Sequence, residues 1–132
     1  MAEQIERASW GNGPAQPQAL ARFLSERDRS LAEALQLAEE AVVTRRDIYT
    51  MDTLAWAQFK AGRLAEARTA SEQALRTSTR DARILYHAAE IRAAAGERDA
   101  ALLLLSQLPA PDAVADVLVS RGIKALRARL SS

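Results

Sequence analysis

There is no cysteine in this chain, so neither a disulfide framework nor a thiolate metal site can form. There is one histidine, His87, which excludes a multi-histidine metal centre, and the HAAE at His87–Glu90 is not the HExxH zinc motif. A lone histidine without a positioned nucleophile supports no nucleophilic catalysis. The carboxylates sit at charged, exposed-looking helix positions, without the split environments that acid–base pairs need. We therefore expect no enzyme, no cofactor and no metal. The net charge of +1 supplies no strong field for nucleic acid or a membrane surface. No apolar run approaches the roughly 20 residues of a membrane span, and MAEQIERASW is charged and lacks the apolar centre of a signal peptide. Together these absences fit a reducing, cytoplasmic setting, with export of a longer parent chain left open. Lysine is nearly absent (Lys60 and Lys124), Asn12 is the one asparagine, and alanine, arginine and leucine dominate, a composition that resembles the product of a GC-rich bacterial genome.

What is present is helical periodicity. At 132 residues the chain is one domain by length. A short helix is expected over Met1–Trp10, broken by GNGPAQP at Gly11–Pro17; the GNG lacks the preceding strand of a phosphate-binding loop. Gln18–Glu26 carries Leu20, Phe23 and Leu24 on one side. Leu31–Val43 repeats apolar residues at three and four, with Ser30 and Glu33 placed as a capping box. Helices follow at Ile48–Ala61, Leu64–Ser78, Ala82–Ala95 and Asp99–Leu108. Pro109 and Pro111 end the series, and Asp112 is placed to cap a last helix, Ala113–Leu130. That helix has an apolar side of Val114, Val117, Leu118, Ile123, Leu126 and Leu130, and Gly122 inside it costs about 1 kcal/mol relative to alanine, enough to bend it. Its basic residues Arg121, Lys124, Arg127 and Arg129 have no aromatics between them to stack bases, and read as a solvated face. Nothing reads as a strand.

Gly62 and Gly96 stand 34 residues apart, each between two helical segments. A period of that length is the mark of a stacked helical array. Alanines recur at matching heights: Ala55, Ala67 and Ala74 around Gly62, Ala89 and Ala101 around Gly96, and Ala21, Ala34 and Ala41 earlier. Two helices approach closely only where the residues between them are small, since a bulky one would overpack the crossing by about 1–3 kcal/mol. Leu54, Leu64, Leu75, Leu85, Ile91 and Leu105 are then the fillers between helices. One hairpin cannot bury its own apolar face, so hairpins must stack.

This period and alanine pattern resembles the tetratricopeptide repeat, over about Gln18–Leu108. It is a divergent form. Met51 and Leu85 stand where the family often has an aromatic, Leu108 replaces the last alanine, Thr79 stands near a repeat end where proline is usual, and the first repeat has one extra residue in its turn. The resemblance implies an all-α, right-handed solenoid of about three hairpins (18–46, 48–80, 82–110), preceded by an N-terminal helix or linker (1–17) and closed by a C-terminal capping helix (111–132). It also implies a protein–protein interaction module, with a peptide or helix of a partner lying in a concave groove. Carried over by position, the groove-facing residues include Gln18, Arg22 and Ser25, then Tyr49, Asp52, Thr53, Trp56 and Lys60, then Arg83, Tyr86, His87 and Glu90. Of these, Arg22, Asp52, Thr53, Trp56, Lys60, Arg83, Tyr86, His87 and Glu90 form the expected partner-binding set. Trp56 is the expected anchor, with packing between helices as its alternative role, and Trp56→Ala is expected to weaken partner binding while leaving the fold cooperative. The lysine–asparagine clamp that some members use for a chaperone tail is not implied, because Gln18, Arg22, Thr53, Arg83 and His87 occupy its positions. Self-association, or service as a spacer in a longer array, is the competing reading.

Overall fold

The 34-residue spacing reappears in the backbone itself. The computed structural model describes residues 30–110 and 113–131, all helix and turn with no strand among them. The helices are α1 (Leu31–Thr44), α2 (Ile48–Lys60), α3 (Leu64–Ala74), α4 (Ala82–Ala94), α5 (Arg98–Ser106) and α6 (Val117–Leu130). α2 and α4 start and stop 34 residues apart, and their caps are equivalent. The Asp47 carboxylate accepts from the Thr50 N–H at 2.8 Å, and that of Asp81 from the Ile84 N–H at 3.1 Å. Such caps satisfy N–H groups that the first helical turn leaves without partners.

The far ends match as well. Gly62 and Gly96 have φ of 83° and 80°, the left-handed region that glycine enters without steric penalty. The Gly62 N–H donates to the Phe59 carbonyl and that of Arg63 to the Gln58 carbonyl. Gly96 and Glu97 do the same to Ala93 and Arg92. This pair of bonds is the Schellman arrangement, and it turns each chain back into the next helix.

α2 packs on α1 and α3, and α4 packs on α3 and α5. α2 also touches α4, while α6 lies against α4 and α5. α2, α4 and α6 thus form one continuous wall. The crossings are made by the expected small residues: Ala34, Ala41, Ala55, Ala67, Ala74, Ala89 and Ala101 are all buried. Leu54, Leu85, Ile91 and Leu105 fill the space between them, whereas Leu64 and Leu75 are only partly buried. Full burial of each such side chain contributes about 1.5–3 kcal/mol.

Several local expectations are corrected. Ser30 adopts a left-handed φ of 49° and its side chain makes no cap bond, so no capping box forms with Glu33. The helix expected over Leu64–Ser78 stops at Ala74. Thr77, Ser78 and Thr79 follow, residues whose side chains compete for backbone groups. Ser78 takes a φ of 54°, and the Thr79 hydroxyl accepts from the Asp81 N–H. The last helix begins at Val117, not Ala113, because the Asp116 carboxylate caps the N–H groups of Leu118 and Val119. Its buried side is Val119, Ile123 and Leu126, which leaves Val117 and Leu118 exposed. Gly122 does not split it. The expected helix over Gln18–Glu26, the preceding segment and the Asp112 cap lie outside the described residues.

Candidate functional site

On a helix, residues three and four apart share a face. Asp52, Trp56 and Lys60 therefore line one side of α2, and Arg83, Tyr86, His87 and Glu90 one side of α4. The structure turns these two sides toward each other. The Asp52 carboxylate sits 2.9 and 3.1 Å from Nδ1 of His87. An ionised carboxylate only accepts, so Nδ1 carries the proton and donates. The His87 ring lies flat on the Trp56 indole, with centroids 4.0 Å apart and planes 13° apart. Arg83 Nε approaches Asp52 to 4.0 Å, and the Lys60 ammonium stands 5.4 Å from the centroid of the Trp56 ring, within cation–π range.

A second network runs from α4 to α6. The Tyr86 hydroxyl donates to Glu90 at 2.6 Å, and Arg129 of α6 donates to both Glu90 oxygens at 2.8 and 2.9 Å. Burial pushes the Tyr86 phenol well above its ordinary range, and the bond to the Glu90 carboxylate adds to the shift. The Tyr86 ring reaches α6 at Gly122, where there is no side chain to obstruct it.

Most of the expected partner-binding set is therefore buried. Asp52, Thr53, Trp56, Tyr86, His87 and Glu90 are each 8% exposed or less. Thr53 turns its hydroxyl to the Tyr49 carbonyl at 3.0 Å. Arg83 and Lys60 are half-buried, and Arg22 lies outside the described residues. Trp56 belongs to the core cluster with Leu85, Tyr86, Val119 and Ile123. Truncating it would open a cavity, so Trp56→Ala cannot separate binding from folding in the way the sequence suggested.

What remains open is a cleft of about 140 Å³ lined by Trp56 and Lys60 of α2, Tyr86 and His87 of α4, and Leu118 and Val119 of α6. The α6 residues were not legible as part of it. The available signal was the run Val117–Val119, three consecutive apolar residues where one helix face can bury only one or two. Two buried donors of α2 and α4 have no acceptor, Nε1 of Trp56 and, outside the cleft lining, Nε of Arg83. Among the described residues no three histidine, aspartate or glutamate side chains converge as metal ligands would. No helix among them is long and apolar enough to cross a membrane.

Comparison with known proteins gives no significant match among curated proteins or solved structures. The tetratricopeptide-repeat family matches over residues 58–130, from the last turn of α2 through α6. That span is more than half of the sequence and carries both Schellman turns, the buried alanines at 67, 74, 89 and 101, and the α6 side of the cleft. The chain belongs to the tetratricopeptide-repeat family.

Proposed function

We propose that this chain is a protein-interaction module that holds a peptide or helix of a partner protein across the wall formed by α2, α4 and α6. Tetratricopeptide repeats generally mediate protein–protein interaction, and the observation that supports this surface is the cleft itself. It is the place where an aromatic floor (Trp56, Tyr86, His87) meets an exposed leucine, Leu118, which is 41% exposed. Interaction hot spots are enriched in tryptophan and tyrosine set in well-packed pockets. In this reading Trp56, Tyr86, His87 and Lys60 make contact, while Asp52 holds His87, Glu90 holds Tyr86, and Thr53 is turned back to the Tyr49 carbonyl. Arg83 and, by position, Arg22 set register at the edges.

Site-specific photo-crosslinking in the source cell tests it. A crosslinker at position 118 should trap a partner protein. One at position 103, where Leu103 is exposed on α5, should not. Equal trapping at both positions would refute the surface assignment. Adducts formed only with a second copy of the chain would favour self-association instead.

A further inference from the structure

We infer that α6 is a latched wall of the cleft: it opens from the third hairpin as a unit, and the Glu90 carboxylate keeps it shut by holding Arg129 and Tyr86 together. The latch stands on the geometry of α4 and α6. Its effect on a partner rests on reading the α2–α4–α6 wall as the binding surface.

The first observation is how little apolar contact holds α6. Of its 14 residues, Val119, Ile123 and Leu126 are buried. α4 buries eight of its 13, from Ile84 through Ile91. Segments with few buried apolar contacts and solvent-exposed hydrogen bonds open locally, without unfolding the rest of the chain.

The second observation is that arginines make up the difference. Arg127 donates to the Leu105 carbonyl at 3.1 Å, and Nε of Arg98 on α5 donates to the Leu130 carbonyl. Arg129 donates to both oxygens of Glu90 at 2.8 and 2.9 Å. The Glu90 bond differs from the other two, because the same carboxylate accepts from the Tyr86 hydroxyl at 2.6 Å. The Glu90 side chain is 10% exposed and that of Arg129 is 61% exposed. One end of the latch is therefore set in the core and the other is within reach of solvent and salt.

The third observation is what the latch closes. The Tyr86 ring is seated against Gly122, and Leu118 and Val119 of α6 form one side of the cleft. When α6 lifts, the cleft loses that side. Trp56, Leu85, Tyr86 and Leu105, which share a core cluster with Val119, Ile123 and Leu126, lose their cover. The cleft exists only while Glu90 holds Arg129.

Hydrogen exchange of the full chain, read by mass spectrometry, tests the latch. In the wild type the amides of α6 should exchange at least about tenfold faster than those of α2 and α4. Arg129→Ala, a change at an exposed residue, should speed exchange in α6 about three- to tenfold and leave α2 and α4 unchanged. Glu90→Gln should do the same. Raising sodium chloride from about 0.05 to 0.5 M should shrink the difference between wild type and Arg129→Ala. The cleft has its own readout. In a Trp10→Phe background Trp56 is the remaining tryptophan, and Arg129→Ala should increase its quenching by acrylamide.

If α6 exchanges as slowly as α4 and Arg129→Ala changes nothing, α6 is a fixed cap and the inference fails. If both variants speed exchange in every helix alike, Glu90 only supports the fold and the latch is overturned. If α6 opens while Trp56 stays protected, the helix moves without opening the cleft, and its role as a wall is overturned. All of these measurements use the chain alone. A failure of crosslinking at position 118 would remove the partner reading and leave the latch standing.

Discussion

Tyr86 fills the space that a side chain at Gly122 would need. A β-carbon at position 122 would collide with the Tyr86 ring and hydroxyl, so α4 and α6 approach as closely as they do only because residue 122 is glycine. The glycine that looked like a weak point in the last helix is what lets that helix dock. Its helical cost, about 1 kcal/mol, is offset by the packing of a large aromatic ring.

Gly122→Ala should therefore destabilise the chain by about 1–2 kcal/mol, overpacking outweighing the gain in helix propensity. In a Tyr86→Leu background the same change should become neutral or stabilising. Urea denaturation of the two single variants and the double variant measures this; a stabilising Gly122→Ala in the wild-type background would contradict it.

Asp52 holds His87 against the Trp56 ring from inside the α2–α4 contact. Asp52→Ala leaves the His87 N–H and the Arg83 guanidinium without their carboxylate, and should cost about 3 kcal/mol. Replacing both Asp52 and His87 with leucine should cost less than Asp52→Ala alone, because the His87 N–H is then no longer stranded, while Arg83 loses Asp52 in both variants. Equilibrium urea unfolding separates the two cases.

Gly62→Ala and Gly96→Ala should each cost about 1–2 kcal/mol, and by similar amounts. Nothing lies within 4 Å of an added β-carbon at either site, so the penalty comes from the positive φ alone. Asparagine, which tolerates that region, should cost less at both. Thermal unfolding checks the ranking.

Acid should weaken the stack through Glu97 and Asp47. Hydrogen bonds from Arg68, joined by those from Arg92, hold the Glu97 carboxyl below its usual range. Partial burial pulls Asp47 upward, but the Thr50 N–H and hydroxyl and the Arg45 guanidinium outweigh it and leave that group low as well. In both cases the unfolded chain takes up the proton first. The stabilisation is therefore complete above the ordinary carboxylate range, about pH 4, and is lost as pH falls through the lower folded values. Melting temperatures should be flat from about pH 7 to pH 5 and drop below about pH 4, with a shallower drop in the double variant Asp47→Asn, Glu97→Gln. An unchanged slope in that variant would contradict the assignment.

Much of the hairpin pattern was legible because its determinants are local. Gly62 and Gly96 announce reversals, and alanines at fixed intervals mark the crossings, whereas the caps at Asp47 and Asp81 were seen only in the structure. The errors came where local signals compete. Ser30 has the composition of a cap but takes a left-handed conformation instead, and the polar run after Ala74 ends α3 earlier than the apolar pattern suggested. The face assignment of α6 went astray for another reason. Val117, Leu118 and Val119 are all apolar, and only the rotation of the helix against α4 and α5 selects Val119 for burial.

The sequence by itself determined the architecture: all-helical hairpins at a 34-residue period, because capping, chain reversal and close crossing each depend on one or two residue types at set positions. The tertiary structure alone decided which side chains remain reachable. Asp52 meets His87 across 35 residues and Glu90 meets Arg129 across 39, and those long-range polar bonds bury residues that a helical projection alone would place on an open face. A projection gives the direction of a side chain from its own helix axis, but its exposure depends on how far the neighbouring helix is allowed to advance, which here is set by Gly122 and the Tyr86 ring that packs against it.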